Sequence, residues 1–167
     1  MRWKNFEVWQ GRLPHWRADD VTYYVTFRHR RPLDEFERRN MLRALLKPDG
    51  RQWELQILVV LPERTELLFK VNEAPASGRP YELSDIVEKA KTKVGRAIIK
   101  KTEERYPPFY EESYDRIVRD EAEFEERWQA IFDAPVNEEL AESPEDYDCL
   151  WVADAPDEAE TSRTNFT

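Results

Sequence analysis

The stretch from Trp53 to Val71 constrains this chain more than any other. Trp53 to Leu61 reads as a strand that ends in the unbroken apolar run Ile57-Leu58-Val59-Val60-Leu61. An apolar run without alternation marks a strand covered on both faces, and so a central one. Pro62-Glu63 breaks it tightly, and Thr65 to Val71 reads as the strand that returns beside it.

The neighbouring segments extend this pattern. Val21 to Arg28 is β-branched and aromatic and reads as a strand, broken by Pro32. Asp34 to Leu46 places Phe36, Met41, Leu42, Leu45 and Leu46 close to helical spacing. Pro48-Asp49-Gly50 is a turn, and Asn72 to Pro80 has the composition of a loop. Ser84 to about Glu104 is predicted as a long helix with Ser84 as its cap and Pro107-Pro108 as its end. Phe109 to Val118 holds a short strand, and Glu121 to Asp133 a helix stopped near Pro135. The order β-α-β-β-α-β-α is that of an α+β, ferredoxin-like split β-α-β arrangement, with an antiparallel sheet and helices on one face. A fold alone assigns no function.

Composition narrows the function classes. With 167 residues, 40% hydrophobic and 13% aromatic, the chain has enough for one core. No apolar run approaches the ~20 residues of a membrane span, so no membrane role is expected, and no signal-peptide pattern follows Met1. The single Cys149 excludes an intramolecular disulfide and a cysteine zinc cluster. A cytoplasmic protein fits these features. The net charge of −9 is unevenly distributed: Glu138 to Thr167 holds ten acidic residues against Arg163, which leaves residues 1–137 balanced. The expected organisation is a domain over residues 1–152 followed by an acidic, disordered tail over residues 153–167.

Five segments in order resemble a known family. They are Pro14-His15-Trp16 with Thr22 to Arg28; Val59 to Phe69; Leu83-Ser84-Asp85-Ile86-Val87 leading to Lys91; Tyr110 to Asp120; and Pro135-Val136 through Pro144-Glu145-Asp146-Tyr147 to Leu150-Trp151. Together they resemble the REP-associated tyrosine transposases, which act on single-stranded DNA, over about Pro14 to Trp151. The resemblance implies the same ferredoxin-like fold, a dimer, and DNA hairpins as ligands.

It also implies an active site that this chain lacks. The family carries a histidine–hydrophobic–histidine metal motif on the strand that here contains Arg64 and Glu66. Anchoring on Pro135-Val136 puts Ala130 at the nucleophilic tyrosine and Ala134 at the metal-assisting asparagine. The chemistry needs those groups. A phenol with a pKa of about 10 is a poor nucleophile at neutral pH, and a divalent ion stabilises charge on the scissile phosphate. Positions i and i+2 of a strand share a face, so Arg64 and Glu66 keep the geometry but can pair with each other, and the guanidinium repels a cation. No metal ligand, catalytic residue or cofactor is therefore expected. A rebuilt Mg²⁺ site would need Glu66 with a carboxylate such as Glu54, and Tyr110 or Tyr114 as nucleophile. The plainer reading makes Glu66 an ordinary charged strand residue.

DNA binding needs only positive groups at backbone spacing. The candidates are Lys89, Lys91, Lys93, Arg96 and Lys100 on the long helix, Arg28, Arg30 and Arg31 after the first strand, and Arg116 and Arg119. Tyr23, Tyr24, Trp16 and Trp53 are stacking candidates if exposed, although aromatics of this size dominate cores. The leading expectation is a transposase-like protein without catalysis that binds structured single-stranded or hairpin DNA. The alternatives are an interaction module kept for homodimerisation and an enzyme with a rebuilt site.

Overall fold

The computed structural model describes residues 21–72 and 83–153. The Pro14-His15-Trp16 motif, the stacking candidate Trp16, the loop beyond Asn72 and the tail from residue 154 lie outside the described residues, as does the side chain of Ser84. The chain forms β1 (Thr22–Arg28), α1 (Glu35–Leu46), β2 (Trp53–Val60), β3 (Arg64–Val71), α2 (Leu83–Thr102), β4 (Tyr114–Val118), α3 (Glu121–Asn137), a 3-10 turn (Pro144–Asp146) and β5 (Leu150–Val152). The strands make one sheet in the order β4-β1-β3-β2-β5, with every pairing antiparallel. The fold is α+β and ferredoxin-like, as the element order predicts.

The apolar run of β2 is buried throughout, Ile57 to Leu61 being inaccessible to solvent. That fits a strand with β3 on one side, β5 on the other and helices over both faces. Alternation along β3 sends Thr65, Leu67 and Phe69 to one face and Arg64, Glu66 and Leu68 to the other. The first face receives α1 and α2. The Trp53 indole donates to the Leu45 carbonyl of α1 at 3.2 Å, and Lys91 of α2 sits 4.8 Å above the ring of Phe27, the register partner of Thr65. The second face receives α3, which packs against β2 and β3 with Phe124, Trp128, Ile131 and Phe132 buried.

Helices therefore cover both faces, not one. The third helix is the element that crosses over, because its apolar residues have only the far side of β2 left to cover. α3 also runs past Pro135 to Asn137. Proline removes one backbone donor, but it lies in the last turn, where the Glu138 N–H closes the helix on the carbonyls of Ala134 and Val136. β5 was not anticipated. Three residues are too few for a periodicity signal, and the strand is secured by pairing with β2 and by the Tyr147 hydroxyl donating to the Val60 carbonyl at 2.7 Å.

Two local features fix the ends of these elements. Asp34 caps α1 with a reciprocal pair of bonds: its carboxylate accepts from the Glu37 N–H at 2.8 Å, and Glu37 accepts from the Asp34 N–H at 2.9 Å. Asp120 caps α3 by accepting from the Glu123 N–H at 2.8 Å.

His29 lies just beyond β1. It is distant from β3 in sequence yet touches it in space. Its Nδ1 lies 2.8 Å from the Pro62 carbonyl and its Nε2 2.9 Å from Thr65 Oγ1. These contacts fall on the α1–α2 face, away from Arg64 and Glu66. Burial pushes the imidazole pKa down to about 4; the Pro62 carbonyl and the Glu37 charge oppose that shift, and the Lys91 charge adds to it.

A folded-state value below the ordinary 6.5 means that the unfolded chain takes up the proton first. The stabilisation is complete above about pH 6.5 and is lost as pH falls toward 4, a span worth roughly 3 kcal/mol. His29→Gln should flatten the pH dependence of the urea midpoint over that interval; an unchanged slope would assign it to carboxylates instead. Gly95, buried in α2, gives a second expectation. A Cβ there would lie 2.8 Å from Cβ of Pro107. Gly→Ala in a helix ordinarily stabilises by about 1 kcal/mol, but here the clash with a rigid ring should reverse the sign and cost roughly 1–3 kcal/mol. Urea unfolding of Gly95→Ala checks this.

Candidate nucleic-acid interface

On the α3 face of the sheet, Arg64 and Glu66 form part of a chain of polar contacts. Arg64 Nε donates to Glu66 at 3.2 Å, and its two terminal nitrogens grip both oxygens of Glu138 at 3.1 and 2.8 Å. The other oxygen of Glu66 accepts from the Tyr24 hydroxyl. Arg127 of α3 stacks 4.4 Å above the Tyr24 ring, and Tyr114 meets that ring edge-on at 6.3 Å. Farther along, Arg116 of β4 pairs with Glu123 of α3 at 2.6 Å. The polar flank of α3 is thus tied in turn to β4, β1 and β3.

The electrostatics follow from these contacts. Burial penalises the Arg64 cation, but Glu138 and Glu66 outweigh that and hold its pKa above the ordinary value. Burial and the Glu66 carboxylate raise the Tyr24 phenol well above its usual range, against the opposing Arg127 charge. A phenol held neutral in this way is a donor and not a nucleophile. Both oxygens of Glu66 are engaged, and a guanidinium stands within hydrogen-bond distance, so this donor set does not fit a divalent cation. Among the described residues no three His, Cys, Asp or Glu side chains gather as a metal site.

The positions aligned with the family's remaining catalytic groups lie on α3. Ala130 is exposed and Ala134 is buried. The carboxylates of the rebuilt-site reading do not converge. Glu54 lies opposite Lys70, whereas Glu66 lies opposite Val59, and the four residues from Glu66 to Lys70 span roughly 13 Å of strand. Glu54 instead accepts from the Asn72 amide at 3.0 Å. Tyr110 is stacked by Arg30.

The basic candidates separate into three groups. Lys89, Lys93, Arg96 and Lys100 are exposed along one side of α2, and Arg28 and Arg119 are exposed elsewhere. Arg30, Arg31 and Arg116 have internal partners: the Phe109 carbonyl and Tyr110 ring for Arg30, Glu37 and Glu104 for Arg31, and Glu123 for Arg116.

Lys91 stands apart from the exposed cations of α2. It is 5% exposed, and its ammonium binds Ser113 Oγ at 2.7 Å and the carbonyls of Tyr110, Glu111 and Glu112 at 3.1–3.4 Å. It fastens the segment leading into β4 to α2, and burial lowers its pKa. Of the stacking candidates, Trp53 and Tyr24 are buried and Tyr23 is half-buried against Phe69. Among the described stacking candidates only Tyr23 keeps part of its side chain exposed.

Sequence reasoning missed other participants. Tyr24, Arg127 and Glu138 complete the network around Arg64 and Glu66 but come from β1 and from α3 with its C-terminal cap. Arg43, Lys47 and Arg51 lie on the same side of the molecule as Lys89 and Lys93, lining shared recesses. Their i, i+4 spacing was the available signal.

No family model matches this chain, and no curated protein matches it in sequence. Solved structures do. One is a REP-associated tyrosine transposase bound to a REP hairpin, with a TM-score of 0.62 and 17% identity, covering 83% of this chain and 82% of that one. The two chains share a fold. A candidate transposase from Deinococcus radiodurans R1 also matches, at 17% identity over 72% of this chain and 95% of that one, but with a TM-score of 0.45 it carries no argument.

The structural role of Lys91 yields an expectation. Lys91→Met leaves three carbonyls and a hydroxyl without their donor, so it should destabilise the protein by roughly 1–3 kcal/mol. The salt dependence of any DNA binding should not change. A variant as stable as the wild type that loses DNA affinity would return Lys91 to the interface.

Proposed function

We propose that this chain is a transposase-like protein of the REP-associated kind that binds hairpin DNA without cutting it. The observation that carries the non-cutting part is the closure of the Arg64–Glu66 position. The carboxylate that would ligate a metal is held by Arg64 and Tyr24, and the aligned nucleophile position is an alanine. Neither an activated oxygen nor a charge clamp for a phosphodiester is assembled there.

The shared fold with a protein described as bound to a REP hairpin supports hairpin DNA as the ligand. So do the exposed cations Lys89, Lys93, Arg96 and Lys100, joined by Arg28 and Arg119, since phosphate neutralisation by such groups drives backbone binding. The reading places the binding function in residues 1–152, in the cytoplasm with its DNA. No described helix is long and apolar enough to cross a membrane.

A second reading has its own observation. β4 is the edge of the sheet, and its Tyr114 and Ile117 are 54% and 53% exposed. An edge strand with exposed apolar side chains can pair with another chain, which would suit a dimerisation module.

A gel shift with a hairpin-containing single strand, with and without Mg²⁺ over a salt series, separates these readings. The expected result is a complex that weakens as salt rises, with the strand intact on a denaturing gel. A nicked strand or a covalent adduct would refute the non-cutting reading. A dimer by sedimentation with no shifted DNA would favour the module.

A further inference from the structure

The α1–α2 side of the molecule carries a furrow walled by cations. A recess of about 370 Å³ is lined by Arg43, Lys47 and Lys93. It continues into one of about 200 Å³ lined by Lys47, Arg51, Lys89 and Lys93, and then into an open depression at Lys89, Lys93 and Arg96. Lys47 and Lys93 line both the first and second recesses, and Lys89 and Lys93 both the second and third, so the three form one track. Asp85 and Glu88 border only its outer end.

Among the described residues none of these six cations is paired with a carboxylate. Arg43 bonds only the neutral Asn40 side chain and the Arg39 carbonyl. This contrasts with Arg31, Arg39, Arg64 and Arg116, each of which has an acidic partner. The Lys47 ammonium lies close enough to Lys93 to hold that lysine's pKa below its ordinary value. Adjacent ammonium groups without a counter-ion repel each other, and an anion seated between them turns that repulsion into binding.

Three properties narrow the ligand. Lys89, Lys93 and Arg96 recur at spacings of four and three on α2, a span of roughly 10 Å. Consecutive phosphates of one strand rise about 3.4 Å along the duplex axis while winding around it, so a row of this length can meet more than one backbone phosphate. Among the described residues no aromatic ring lines any of the recesses, so the described lining offers unstacked bases no platform. The furrow also lies on the opposite side of the sheet from Arg64 and Glu66.

We infer that the furrow formed by Arg43, Lys47, Arg51, Lys89, Lys93 and Arg96 is a phosphate-backbone track that seats the paired stem of a DNA hairpin. This rests on the hairpin-binding reading and adds the α1 wall to the α2 cations. Binding here positions the stem without reading its sequence. It is also independent of the closed network on the other face.

The test is fluorescence anisotropy with a labelled DNA hairpin over 50–200 mM salt, ranges in which backbone contacts of this kind are about an order of magnitude or more sensitive. It compares the full chain, Lys47→Gln/Lys93→Gln, and the charge-matched control Arg39→Gln/Arg105→Gln, each checked for folding by circular dichroism and thermal melting. The furrow variant should bind roughly tenfold more weakly than the control and lose about two units of the log–log salt slope. Its melting temperature should not fall, since a repulsive pair has been removed. Equal losses in both variants, or none in the furrow variant, would overturn the track while leaving hairpin binding by the wild type intact. Failure of the wild type to bind the hairpin would overturn the hairpin-binding reading and the track with it. Binding of an RNA hairpin in preference to DNA would replace the DNA assignment.

Discussion

Everything in this molecule depends on the two-faced burial of the central β2–β3 pair. β3 sends Thr65, Leu67 and Phe69 toward α1 and α2, and Arg64, Glu66 and Leu68 toward α3. A strand shows each face only every second residue, so both sets are positioned by one backbone conformation. The apolar positions of β2 and β3 are sealed on both sides. That burial supplies the driving force that holds α3 across the second face and closes its polar flank over Arg64 and Glu66.

This closure gives the charged positions a structural role. Arg64 joins Glu66 on the sheet to Glu138 at the end of α3, and Arg116 joins β4 to Glu123 at its beginning. Glu66 and Glu123 are largely shielded, while Glu138 and the two arginines remain about one-third exposed. Pairs of that kind contribute modestly, but leaving one member without the other is costly. The network therefore fixes the register of α3 more than it adds to stability.

Much of the fold was legible because its signals are local. The continuous run at Ile57 to Leu61, the break at Pro62 and the order of strands and helices as far as α3 all lie within short windows of sequence. That Arg64 and Glu66 share a face of the strand and can pair was likewise a matter of residue identity and strand spacing. The destination of each basic side chain was not legible. Lys91 and Lys93 are two residues apart on one helix, yet one is buried against Ser113 and the other is exposed beside Lys47. Helical geometry separates them by more than half a turn, and only the packing of α2 on the sheet decides which side is covered. Arg31 looked like part of a basic cluster and instead bridges Glu37 and Glu104, the second of which is far away in sequence.

By itself the sequence determined the secondary-structure order as far as α3, the α+β class, the central position of β2 and the shared face of Arg64 and Glu66. These follow from periodicity, punctuation and side-chain chemistry, which are properties of neighbouring residues. The tertiary structure alone decided that α3 would cross to the second face, that Tyr24 and Glu138 would occupy Glu66 and Arg64, that β5 would extend the sheet, and that cations from α1 and α2 would line one furrow. Each of these brings together residues separated by tens of positions. Such meetings are governed by which apolar faces remain to be covered, a constraint that exists only once the sheet has formed.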